Sequence, residues 1–160
     1  MKNTIIFLFS FLAITSTTLA TERIGRLGVG MTTQLVNDLP AVSFKIQQSK
    51  TFSFGGLLSL DSSDTGGWGA GVKLYRVIFE EPQTNFYLGF LGALLNDKKD
   101  ESTDKTGFQF DLTVGSEFSF AGLTSLGLSF ETGISLNKID DFAIQTVGSQ
   151  FIIGSIHFYL

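Results

Sequence analysis

The stretch LTSLGLSFETGISLN, Leu123 to Asn137, constrains the fold more than any other part of the chain. From Leu126 onward every second residue is apolar or Thr: Leu126, Leu128, Phe130, Thr132, Ile134 and Leu136. The residues between them, Gly127, Ser129, Glu131, Gly133 and Ser135, are small or polar. A period of two is the signature of a strand with two unlike faces. The polar row decides which face is inside. A water-facing strand surface is rich in Lys, Glu, Thr and Arg, whereas this row is mostly Gly and Ser with one carboxylate, which suits a narrow interior. The reading is a transmembrane strand, with the large apolar row turned to lipid.

Alternating segments of this kind recur between turn-forming residues, about eight of them, which suggests an all-β, up-and-down antiparallel transmembrane β-barrel. Ile24 to Met31 sets Leu27, Val29 and Met31 against Arg26, Gly28 and Gly30, and its GxGxG look is not a nucleotide loop because no helix pattern follows. Ala41 to Gln47 sets Val42, Phe44 and Ile46 against Ser43, Lys45 and Gln47. Phe52 to Leu60, Trp68 to Tyr75, Asn85 to Leu94 and Phe108 to Phe120 follow suit, and Gln150 to Leu160 ends the chain. The alternation fails over Arg76 to Glu80. Asn96 to Gly107 and Lys138 to Ser149 read as polar exposed loops. Connections after the first, third, fifth and seventh segments are the longer ones, as bacterial barrels arrange on their outer side.

Composition agrees. The chain has 160 residues, 17 of them Phe and 18 Gly, and only 16% are charged, yet past the first twenty no apolar run approaches the roughly 20 residues of a spanning helix. Residues 1–20 read as an export signal: Lys2, an apolar core from Ile5 to Ile14, and Thr18-Leu19-Ala20 as the cleavage site, leaving 21–160 as the barrel. Without Lys2, 10 Lys and Arg face 15 Asp and Glu, a net charge of −5. An acidic chain without a basic cluster is a poor nucleic-acid binder. With no Cys there is no lipid-attachment site, disulfide or thiol chemistry.

The terminal alternation Ile152, Gly154, Ile156, Phe158, Leu160 resembles the last strand of outer-membrane barrels, which the assembly machinery recognises by alternating apolar residues and a final aromatic. Leu160 departs from the usual final Phe, while Phe158 and Tyr159 keep the end aromatic. Over about 140 residues the pattern is similar to the small eight-stranded outer-membrane barrels of Gram-negative bacteria. The resemblance implies a location in the outer membrane, contact with its lipid and lipopolysaccharide, insertion by the barrel assembly machinery and a monomer. It carries no activity.

The alternation places Arg26, Lys45 and Lys73 in the lumen with Asp111, Glu117 and Glu131, three bases facing three acids. Charges in so confined a space must be paired or wet, so an ion-pair network filling the interior is expected. His157, the only histidine, falls near the terminal end of that interior, and replacing it with Ala is expected to leave folding nearly intact. No catalytic set, metal site or cofactor is expected. Trp68 and the Phe residues are expected to form aromatic girdles, and the loop acids Asp97, Asp100, Glu101, Asp104, Asp140 and Asp141 to be solvated. Two rival functions remain at this point. One is a secreted soluble barrel of the lipocalin type with the Phe row around an apolar ligand, and the other an outer-membrane lipid hydrolase.

Overall fold

The computed structural model describes residues 23–100 and 103–160, with no account of the side chains of 99–104 and 149. The expected export signal and its cleavage site after Ala20 lie outside the described residues. The strands are β1 (Leu27–Thr32), β2 (Ala41–Gln47), β3 (Phe52–Asp61), β4 (Gly67–Glu81), β5 (Thr84–Asp100), β6 (Thr103–Phe120), β7 (Leu123–Lys138), β8 (Phe142–Thr146) and β9 (Ile153–Tyr159). Each consecutive pair from β1 to β7 is antiparallel, and β9 closes the sheet by pairing with both β7 and β1. The result is an eight-stranded, closed, up-and-down antiparallel barrel. Its eighth stave is made of two strands, because β8 pairs with Ile134–Lys138 of β7 and β9 with Leu126–Glu131.

Facing follows the alternation in the sequence. Leu58, Val72, Phe90, Phe110, Phe130 and Phe158 stand on the outer surface, and Ser43, Lys45, Lys73, Asp111, Glu117 and Glu131 are buried within. Among the described residues the exposed Phe side chains are spread along the strands of the outer face rather than confined to two girdles. All three tyrosines, Tyr75, Tyr87 and Tyr159, are inside.

Several segments differ from the sequence-based expectation. The lost alternation at Arg76 to Glu80 is a β-bulge at Ile78 within a continuous strand, since one extra residue reverses the facing of everything after it. The polar stretch Asn96 to Gly107 is largely strand: β5 and β6 stay paired from Asn96↔Thr106 to Asp100↔Thr103. Within Lys138 to Ser149 the chain turns at 139–141, forms β8, and leaves the sheet through a 3₁₀ turn at Val147–Ser149, where Gly148 takes φ 63°. β5 with β6, and β7 with β8, therefore form tall hairpins at the end of the barrel away from Tyr159.

The inward row of β1 is glycine because its neighbours need the space. Gly30 lies between Ser43 on β2 and His157 on β9, and a methyl group there would collide with the Ile156 carbonyl oxygen. Gly28 lies under the Tyr159 ring. By contrast, Gly154 faces outward with no heavy atom within 4 Å of the position a side chain would take. Gly30→Ala should therefore lower stability by about 1–3 kcal/mol, as overpacking does, and Gly154→Ala should stay within about 0.5 kcal/mol of the parent. Urea unfolding of the two refolded variants measures both.

Candidate functional site

Buried charge is expensive, so the barrel interior is where the sequence commits most energy. Near the end of the barrel where Arg23 and Tyr159 lie, Glu117 on β6 is held on both oxygens. Arg23 Nη1 donates to Oε1 at 2.5 Å, Lys45 Nζ to Oε2 at 2.7 Å, and the Tyr159 hydroxyl lies within 3.0 Å of both. One strand level further in, Glu131 on β7 accepts from Lys73 Nζ at 2.6 Å on both oxygens, from Tyr87 OH at 2.9 Å and from Thr113 Oγ1 at 2.8 Å. Aromatic faces line the cations: Arg23 stacks on Tyr159 with 4.1 Å to the centroid, and Lys45 lies 4.5 Å from that of Tyr75.

Five of the six residues expected in the lumen, Lys45, Lys73, Asp111, Glu117 and Glu131, are buried in it. Arg26 is not. Gly25, at φ 78°, turns the chain before β1 begins, so that Arg26 stays at the barrel's rim and donates to the carbonyls of Tyr159 and Leu160. The same turn folds Arg23 into the lumen, where it also donates to the Thr124 and Leu126 carbonyls. The third base is thus Arg23, and the interior still holds three bases and three acids. Gly25 between two arginines is the signal that the strict alternation overlooked.

The far end is closed by a segment the sequence reading left aside. The connection from β1 to β2, residues 33–40, folds into the barrel mouth, and Gln34 and Leu35 are buried there. Gln34 joins two parts of the interior: its side-chain oxygen accepts from Lys73 Nζ at 2.5 Å, and its amide nitrogen donates to Asp111 Oδ2 at 2.9 Å. Gln109 holds the loop backbone through the Gln34 carbonyl and the Val36 amide. Leu35 then packs with Ala41, Leu57, Leu91, Ala93 and Leu95 in an apolar cluster above the charged layers. The apolar pair Leu35-Val36 directly after Gln34 is the legible trace of this plug.

His157 Nε2 is 2.9 Å from Ser43 Oγ, and the histidine is 2% exposed. The pair has a nucleophile and a base at hydrogen-bond distance but sits behind the barrel wall, beneath charged layers that fill the interior. Its burial argues against the expectation that His157→Ala leaves folding nearly intact. Removing the ring opens a void and strands the Ser43 hydroxyl, which costs about 1–3 kcal/mol. Among the described residues no cluster of His, Asp and Glu has the geometry of a metal site, and Lys105 is bonded to Asp140 at the far rim.

Comparison of the chain with protein-family models, with curated proteins and with solved structures returns no match. The geometry stands alone and predicts a rank order of stability. Glu117→Ala leaves two buried cations without their carboxylate and should cost about 3–5 kcal/mol. Arg23→Ala removes one of three donors and should cost less, and Arg26→Ala, at the half-exposed rim, should cost least. Unfolding free energies of the three variants against the parent provide the check.

Proposed function

We propose that the chain is a non-enzymatic outer-membrane barrel, exported with removal of residues 1–20, that acts structurally or by contact with other molecules at its far end. One observation carries the reading: the barrel is turned inside out relative to a water-soluble one. Large apolar side chains cover its outer face and its charges are paired inside. In water the outer surface would be an apolar patch far larger than a soluble monomer exposes, whereas in a bilayer the same rows meet acyl chains. Closure supports the reading too, because a sheet with its ends joined satisfies its backbone polar groups where no water can.

In this orientation both ends of the chain lie in the periplasm and the tall β5–β6 and β7–β8 hairpins stand outside the cell. Membrane lipid and lipopolysaccharide are the immediate neighbours, and the assembly machinery inserts a single copy through its alternating terminal strand. The interior layers argue for a scaffold rather than a pore. Arg23 fills the inner end and the Gln34–Leu35 plug the outer one, with ion pairs between. A soluble ligand-binding barrel would need the opposite facing, with the Phe row around a cavity.

Fractionation of cells expressing the full chain, followed by gels of boiled and unboiled samples, tests the proposal. The expected result is an outer-membrane pellet containing a band that migrates differently after boiling. Recovery in the periplasmic wash with no such shift would overturn the membrane assignment.

A further inference from the structure

The outer wall of the barrel is not uniformly thick. The outward row of β9 runs Gly154, Ile156, Phe158, and Gly154 contributes no side chain at the level where β1 has already ended, since the last pair across that seam is Thr32↔Ser155. The two gaps coincide. They leave an open groove of about 330 Å³ bordered by Phe130 and Leu128 on β7, Ile156 on β9, Met31 on β1 and Pro40 just before β2. Pairing fixes its place: Phe130 lies opposite Gly154, and Leu128 and Met31 flank Ile156 on either side. No heavy atom lies within 4 Å of the position that a Gly154 side chain would take, so the floor of the groove is bare.

Height and chemistry select what fills it. The outward row of β7 carries no charge from Leu126 to Leu136, and neither does the outward row of β6 from Phe110 to Phe120. The groove therefore lies partway up an uncharged band, with apolar wall above and below it. No charged residue lines it, so nothing in it selects a headgroup. A second barrel is a poor occupant, because two convex walls meet along a narrow strip and leave a hollow one side chain deep unfilled. A flexible hydrocarbon chain can follow that hollow and restore the dispersion contacts its lining would otherwise lack. The chain's own beginning does not reach it. Removal of residues 1–20 leaves two residues before Arg23, which is bonded inside the barrel to the Thr124 and Leu126 carbonyls, four to six residues along β7 from Phe130 at about 3.3 Å each. We propose that the groove over Gly154 holds one acyl chain of a membrane lipid as a preferred neighbour, which completes the wall where β1 stops. The inference rests on the membrane reading proposed above.

The test uses the full mature chain in phosphatidylcholine vesicles, its barrel verified beforehand by the boiling shift, so that a failed membrane reading and a failed groove are told apart. A small fraction of the lipid carries a photoactivatable diazirine midway along one acyl chain, and peptide mass spectrometry maps where it attaches. Met31 and Phe130, 57% and 49% exposed, should take at least about fivefold more label than Leu112 and Ile134, which are 61% and 57% exposed on the same outer wall but outside the groove. Gly154→Leu, which fills the groove from its floor, should bring that ratio down to about one. Even labelling in the parent, the mark of ordinary contact with surrounding lipid, overturns the proposal, and so does an excess that Gly154→Leu leaves intact. A groove labelled less than the rest of the wall, in vesicles where barrels crosslink to one another, overturns it too, because a second copy then fills the space. Should Gly154→Leu not refold, the distribution of label in the parent decides alone.

Discussion

Everything in this barrel depends on the solvation of two buried carboxylates. Glu117 and Glu131 cannot be ionised inside a closed sheet unless each is surrounded by donors, and both are: three strong donors to one, Lys73, Tyr87 and Thr113 to the other. These donors come from β2, β4, β5, β6, β9 and the segment before β1, so the two sites tie nearly every stave to β6 or β7. Hydrophobic burial cannot play that part here. In the membrane setting proposed for it, the outer surface gains nothing from being covered by neighbours as apolar as itself, and the specific contacts lie inside. The polar interior thus stands where a soluble domain has its apolar core, with the Leu35–Leu57–Leu91–Leu95 cluster a small remainder at one end.

Such an interior dictates the glycines. Long cationic and aromatic side chains crossing a narrow barrel need bare backbone to lie against. Gly28 takes the Tyr159 ring, Gly115 the Glu131 and Tyr87 side chains, and Gly127 the space around Arg23 and Glu117. Gly30 lets Ser43 and His157 meet across β1. Small and large residues therefore alternate around each layer, as small barrels require. A row that resembles a nucleotide-binding glycine pattern in the sequence is a packing device in three dimensions.

This explains what was legible beforehand. Strand identity and facing are written in a local period of two, so the barrel, the outward Phe rows and five interior charges follow from the sequence alone. What breaks the period is invisible to it. The bulge at Ile78 and the Gly25 turn shift the facing by one residue, and the second exchanges Arg26 for Arg23. The plug formed by Gln34 and Leu35 is stabilised by contacts with residues some seventy positions away, among them Gln109 and Asp111, and no local pattern encodes that. The tyrosines illustrate the same limit. Their amphipathic rings suit a membrane interface, but Glu131 and Glu117 take the hydroxyls of Tyr87 and Tyr159, and the Tyr75 ring lies beside Lys45 and Lys73.

The plug is a consequence of unequal stave heights. A barrel with eight equally tall staves would leave the residues between β1 and β2 outside as an ordinary loop. Here β1 and β2 are short, so the mouth must be sealed by something else, and Gln34 does so by bonding to Lys73 and Asp111 deep in the interior. Sealing from within frees the wall from having to close at that height. Lengthening β1 and β2 would extend the wall at that height and leave the polar contacts of Gln34 without their purpose, so the short strands and the buried connection belong together.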